Sequence, residues 1–226
     1  MKYKGIIFDF NGVLLWDTHL HEKAWTDFST TLRGTPFSSE ELSSHVHGRP
    51  NQYILEYLLH RPITSEEFHR LSGQKESIYQ TFCLQNREDF QLSPGAIDLL
   101  DFLIKNNIPH TIATASDKNN VDFFIKHLNL RRWFDVEKIV FDNGSFPGKP
   151  APDIYLRAAA NINLSPNDCI AVEDSKSGLT AAYSAKIGKL IALGPMELHT
   201  TLVNIKGVNE VITSLEQLRK QLFLSS

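Results

Sequence analysis

Apolar residues fall along this chain in two rhythms. Gly5 to Leu15, GIIFDFNGVLL, begins with Ile6, Ile7 and Phe8, a run too short for a helix. Such a run suits a strand buried on both faces. The pattern breaks at Asp9, and after Phe10 an Asn11-Gly12 pair forces the chain to turn. Behind Leu15 the spacing becomes helical: Leu20, Trp25 and Phe28 within 19–31, Ile54, Leu55, Leu58 and Leu59 within 50–59, and Phe68, Leu71, Ile78 and Phe82 within 65–86. Ser38-Ser39-Glu40-Glu41 and Thr64-Ser65-Glu66-Glu67 have the form of capping boxes, each opening a helix. Residues 17–88 therefore read as an all-helical block inserted behind the first strand.

From Ser93-Pro94-Gly95 onward, strands and helices alternate. The pattern predicts strands at 109–114, 139–141, 169–172, 189–193 and 211–212. It predicts helices at 96–105, 119–128, 153–160 and 178–185, and a last helix from Ser214. Alternation of this kind implies an α/β class with a Rossmann-like parallel sheet. The expected domains are an α/β core of 1–16 with 89–226 and a helical domain of 17–88.

The polar residues that follow the strands sharpen the picture, because open α/β sheets place their ligands at the carboxyl ends of strands. Asp9 follows the first strand. Thr114-Ala115-Ser116 follows the second, where hydroxyls and free N–H groups at a helix mouth make a phosphate seat. Gly148-Lys149-Pro150 follows the third, two prolines near one lysine suggesting a held cation. Glu173-Asp174 follows the fourth, and adjacent carboxylates repel unless a cation separates them; oxygen-only ligands suit Mg²⁺. Each feature has a commonplace reading as a cap, a surface lysine or a dipole-favoured acid. Together, at successive strand ends, they converge.

Composition changes this picture little. The chain has 226 residues, 42% hydrophobic and 22% charged, ordinary for a globular protein. A net charge of -3 gives no electrostatic footprint for nucleic acid or a membrane surface, so an anionic substrate must be held by local groups. The only cysteines, Cys83 and Cys169, form no metal-ligand spacing and fit a reduced interior. Asp9 and Asn11 interrupt the first apolar run too early for a signal peptide. A cytoplasmic monomer is expected.

The four motifs in this order resemble those of the haloacid dehalogenase superfamily of aspartate-nucleophile phosphotransferases. The subgroup that includes β-phosphoglucomutase and phosphoglycolate-type phosphatases is the most similar; GKPAPDIY and VEDSKSGL are its specific motifs here. The resemblance implies a Mg²⁺-dependent phosphatase acting on a small phosphorylated metabolite, with residues 17–88 as a helical cap. It implies that Asp9 is the nucleophile that becomes an aspartyl-phosphate, and that Thr114, Ala115, Ser116 and Lys149 bind the phosphoryl group. It assigns Mg²⁺ to Asp9, Glu173, Asp174 and the backbone carbonyl of Asn11. In the cap it matches His21 and Trp25 to positions of the first cap helix and Gly48 to the substrate-facing turn, and it gives His21, Arg49 and Asn51 as substrate-binding.

The chain departs from the family at Asn11, where relatives carry the acid that protonates the leaving oxygen and then activates water. An amide can do neither, and positioned acid–base catalysis is worth roughly 10²–10⁴-fold. Three readings stay open: a natural variant suited to good leaving groups, an engineered substitution, or a metabolite-binding pseudoenzyme. Trp16-Asp17 also departs from the usual hinge, and Asn51 stands where the mutases carry a phosphate-gripping Arg, with Arg49 directly after Gly48. A sugar-phosphate mutase is the alternative enzyme.

Overall fold

The computed structural model describes residues 3–46, 49–218 and 220–223. It divides into two compact units, Met1–Trp16 with Gln91–Ser226, and Asp17–Phe90.

The first unit is built on a five-stranded parallel sheet in the order β2-β1-β3-β4-β5. Its strands are β1 (Gly5–Phe8), β2 (His110–Ile112), β3 (Cys169–Glu173), β4 (Lys189–Leu193) and β5 (Val208–Ile212). Ile7 of β1 lies opposite Thr111 on one side and Ala171 on the other. Central strands of a parallel sheet lose both faces to helices, which explains why Ile6, Ile7 and Phe8 are all fully buried. Each such side chain contributes roughly 1.5–3 kcal/mol relative to exposure. The helices of this unit are α5 (Ala96–Lys105), α6 (Lys118–His127), α7 (Asp153–Asn161), α8 (Lys176–Ser184) and the short α9 (His199–Val203). On one side of the sheet Ile7 and Ala171 pack with Ile154, Tyr155 and Ala158 of α7 and Ala181 and Ala182 of α8.

The second unit is helical: α1 (Thr18–Arg33), α2 (Ser39–Glu41), α3 (Asn51–Leu59) and α4 (Ser65–Gln85), with a π-helical turn at Leu42–Val46. Trp25, Phe28, Phe37, Ile54, Leu55, Leu58 and Leu71 form its core. The Ser38 box is complete, Glu41 N–H donating to Ser38 Oγ and Ser38 N–H to Glu41 Oε2.

Three expectations need correction. The strand at 139–141 is a single bridge, Ala113 to Val140, because a 3-10 turn at Val136–Lys138 takes up the chain just before it. The last helix from Ser214 is replaced by 3-10 turns at Leu215–Gln217 and Lys220–Leu222. There the Gln217 amide oxygen bends back to accept from Thr213 N–H, and Leu218 turns extended, which stops helix growth. The second capping box keeps one arm only: Thr64 Oγ1 accepts from Glu67 N–H, but the Glu67 carboxylate pairs with Arg61 instead.

Candidate active site

Asp9 sits one residue beyond β1, its N–H donating to Val172 O at 3.0 Å. The following turn is tight. Leu14 and Leu15 N–H both reach Phe10 O, and Gly12 N–H reaches Leu15 O at 2.7 Å. Phe10 stacks on Phe124 with ring centroids 4.5 Å apart, anchoring the turn to α6. Gly12 has φ +81, and a Cβ there would meet Asp174 Oδ2 at 2.0 Å; at Gly178 a Cβ would meet Glu173 Oε1 at 1.7 Å. Backbone without side chains thus leaves room for the two acids.

Lys149 arrives from the loop before α7. Its side chain is 6% exposed, and Nζ donates to Asp9 Oδ1 at 2.8 Å and to Glu173 Oε1 at 2.5 Å. One oxygen each of Asp9, Glu173 and Asp174 lie within 4.8 Å of one another. Three buried or half-buried acids around one lysine leave negative charge uncompensated. Burial, reinforced by Glu173, lifts the Asp9 carboxyl to about 7 despite Lys149. Asp174 is raised well above the ordinary carboxylate range by burial, then by Glu173 and Asp9. For Lys149 burial works toward a lower pKa, but the two carboxylates outweigh it and hold the ammonium above its ordinary value. An all-oxygen set with surplus negative charge fits a divalent cation such as Mg²⁺, which the cluster of Asp9, Glu173 and Asp174 could hold.

The phosphate-seat residues lie at the end of β2. Thr114 is buried, with Oγ1 accepting from Ser116 N–H at 3.1 Å, while Ala115 is exposed. Ser116 Oγ donates to Asn11 Oδ1 at 2.8 Å, so the strand-end loops of β1 and β2 are joined through the Asn11 amide.

His21 and Asn51 lie in the helical unit and belong to one buried network there. Lys75 Nζ contacts His21 Nδ1 at 2.8 Å and Glu76 Oε1 at 3.0 Å, and Asn51 Nδ2 donates to Glu76 Oε1 at 2.9 Å. Trp25 is buried beneath Lys75, whose Nζ is 5.1 Å from its ring. Arg49 is exposed, its guanidinium 5.1 Å from the Tyr53 ring. Gly48 lies outside the described residues.

Sequence reasoning missed Lys75, Glu76, Tyr155 and Ser175. Lys75 and Glu76 look like a solvated helix face, and only packing shows them buried. Tyr155 does carry a signal, since it ends the GKPAPDIY stretch within the first turn of α7.

The haloacid dehalogenase-like hydrolase family pattern matches residues 3–186. The β-phosphoglucomutase of Bacillus subtilis is 31% identical over 187 residues, covering 80% of each chain. A phosphorylated carbohydrates phosphatase of Thermotoga maritima is 29% identical over 191 residues, 83% of each chain. The crystal structure of a HAD hydrolase, family IA, variant 3, from Entamoeba histolytica superposes with a TM-score of 0.91 at 38% identity, covering 97% of both chains. With the acids, the lysine and the hydroxyls at the strand ends and a family match across most of its length, this chain belongs to the haloacid dehalogenase-like hydrolases.

Proposed function

We propose that the chain is a Mg²⁺-dependent phosphatase that takes a phosphoryl group from a small phosphorylated metabolite onto Asp9. One observation carries this reading: the Lys149 ammonium lies 2.8 Å from the Asp9 carboxylate, inside a cluster of acids suited to a divalent cation. A carboxylate can approach a phosphate only if their repulsion is neutralised, and a fixed ammonium at that distance supplies part of the neutralisation. Bound Mg²⁺ would supply the rest and align the phosphoryl oxygens. Thr114, Ser116 and the Ala115 backbone are placed at the end of β2 to hold those oxygens. Asp9 attacks phosphorus as the bond to the leaving oxygen breaks and that group departs as its anion; water then adds to phosphorus, Asp9 is released as the carboxylate, and the water's protons leave with the phosphate, two easier steps in place of one. The helical unit serves as the cap in this reading, with His21, Arg49 and Asn51 as its substrate-binding residues.

Asn11 sets the limit on the chemistry. Its Oδ1 accepts from Ser116 Oγ, and an amide has no proton to lend to an alkoxide at neutral pH. Substrates whose leaving group departs unprotonated, such as acyl phosphates, are therefore favoured. Release of phosphate from a panel of acyl, sugar and sugar-alcohol phosphates with Mg²⁺ tests the reading. Turnover that disappears in Asp9→Asn supports it, and release that persists undiminished in that variant overturns it.

The similarity to a β-phosphoglucomutase sustains a second reading, a sugar-phosphate mutase. Interconversion of a sugar 1-phosphate and 6-phosphate without net phosphate release would favour it. A mutase must hand protons to and from sugar hydroxyls, which an amide at position 11 does not do.

A further inference from the structure

Glu173 is bonded on every side. Its Oε1 accepts from Lys149 Nζ at 2.5 Å and from the Tyr155 hydroxyl at 3.0 Å. Its Oε2 accepts from Asp174 N–H at 3.0 Å, Ser175 N–H at 3.1 Å and Ser175 Oγ at 3.0 Å. An ionised carboxylate offers about four lone-pair sites. Five donors use them all, so a cation could claim Glu173 only by displacing a donor. Asp9 and Asp174 are engaged by fewer donors. Within one acid trio, the structure separates a saturated member from two available ones.

Tyr155 is the donor that the motifs leave without a role. It is fully buried on α7, its hydroxyl is on Glu173 Oε1, and its ring centroid is 5.5 Å from Lys149 Nζ. One side chain therefore touches both the anion and the cation that face Asp9. A buried phenol hydroxyl must find a partner, and here that partner is the same carboxylate oxygen that holds Lys149.

We propose that Glu173 is a positioning residue for Lys149 rather than a ligand of the cation, and that Tyr155 enforces this by filling Oε1 together with Lys149. The inference rests on the phosphatase reading for its kinetic arm only. Lys149 is pinned between Glu173 and Asp9, and Glu173 is pinned in turn by Tyr155 and the Ser175 turn. Without the Tyr155 hydroxyl, Glu173 can rotate and take Lys149 with it, so the ammonium is less well aimed when charge develops on the phosphoryl group.

The test uses the whole chain and Mn²⁺, whose binding is read by electron paramagnetic resonance without any turnover. Glu173→Gln should weaken Mn²⁺ by about tenfold, the low end for a residue outside the ligand set. Asp174→Asn should weaken it by at least about tenfold more than that. Equal losses in the two variants overturn the assignment of Glu173. Tyr155→Phe keeps the ring and so the packing, and it carries the test if Glu173→Gln folds poorly by circular dichroism. It should leave Mn²⁺ affinity within about threefold, lower kcat by about tenfold, and change KM little, as befits one lost hydrogen bond felt mainly in the transition state. An unchanged kcat, or a Mn²⁺ loss matching Asp174→Asn, overturns the role of Tyr155. A parent chain that binds Mn²⁺ but releases no phosphate sinks the phosphatase reading alone, and the Mn²⁺ ranking still decides the ligand question. A parent that binds no Mn²⁺ overturns both.

Discussion

Each unit buries a charged cluster, and the two are wired differently. In the helical unit the groups alternate. Tyr79 and His21 Nε2 meet Asp17 at one end, Lys75 sits in the middle, and Glu76 takes Lys75 and Asn51 at the other. Lysine can only donate, so His21 Nδ1 must accept from Lys75 and its Nε2–H must face Asp17. Acids are kept apart by donors, and the His21 ring stacks on Tyr79 at 3.8 Å. In the α/β unit, three acids crowd within 4.8 Å around one lysine. Both clusters use a buried tyrosine whose hydroxyl donates to a carboxylate and whose pKa is pushed well up, mainly by burial. The difference is one of spacing: a buried ionic network that separates its acids with donors leaves no common seat for a cation, whereas one that gathers them offers such a seat.

The largest expected effects separate the two directly. Lys75→Met should cost about 3–5 kcal/mol, because Glu76 is left buried beside an apolar chain. Lys149→Met should cost a similar amount without metal, for the same reason. Measured against the parent chain under the same conditions, saturating Mg²⁺ should recover at least half of the Lys149→Met loss and none of the Lys75→Met loss, since only the α/β cluster can accept a cation in place of its lysine. Urea-unfolding midpoints of the full chain, with Mg²⁺ and with chelator, measure this. Equal recovery in both variants, or in neither, would erase the distinction.

The contrast also shows what the sequence made legible. β1 and β3 announce themselves as short apolar runs, and each acid of the site follows such a run directly, so Asp9, Glu173 and Asp174 could be located before any coordinates. The helices came from 3.6-residue spacing and from caps such as Ser38 with Glu41. The central network of the helical unit did not come through, because Lys75 and Glu76 obey helix propensity equally well whether buried or solvated. The same limit hid the saturation of Glu173: its five donors come from α7, the Lys149 loop and the turn after β3, distant in sequence except for the turn. The 3-10 turns after Ser214 were obscured for a related reason, since a single side chain folding back, Gln217 onto Thr213, ended what apolar spacing read as a helix.

A second, smaller effect concerns Asn11. Ser116 already donates to its Oδ1, so Asn11→Asp fits the same slot with the same partner. Introducing a carboxylate should raise turnover on alkyl phosphates by at least about 10²-fold, or about 2.7 kcal/mol of barrier. In the single-turnover burst, which reads transfer to Asp9 alone, acyl phosphates should gain much less, because their leaving carboxylate needs no proton. An equal gain for both classes in that burst would mean that position 11 acts through structure. Intact mass must first show that Asn11 has not deamidated; Gly12 N–H, the nitrogen that would attack its side chain, is tied to Leu15 O at 2.7 Å.

The smallest effect, and the most specific to the gathered cluster, is the coupling of metal to protons. Burial and Glu173 raise Asp9 to about 7, so below that pH a metal must displace a proton from its carboxyl. The sign follows. A carboxyl raised on folding keeps its proton in the folded chain between the model-compound value of 3.8 and about 7, so its ionisation takes stability from the metal-free protein as pH rises through that window. Mg²⁺ returns that stability, and does so more strongly the higher the pH. Affinity for Mg²⁺ should fall about tenfold for each pH unit below about 7, or about 1.4 kcal/mol, while one proton is displaced. Asp174, also raised, can only steepen the slope. Calorimetric titration in two buffers of different ionisation enthalpy counts the protons released, and it should find about one near pH 6 and few near pH 8. A Mg²⁺ affinity that stays flat over this range would show that the three acids are not held together as the metal-free structure has them. The helical cluster offers the internal control: its acids are already paired with Lys75, His21 and Tyr79, so Lys75→Met should leave this pH slope unchanged while Glu173→Gln, which removes a charge that lifts Asp9, should move it to lower pH.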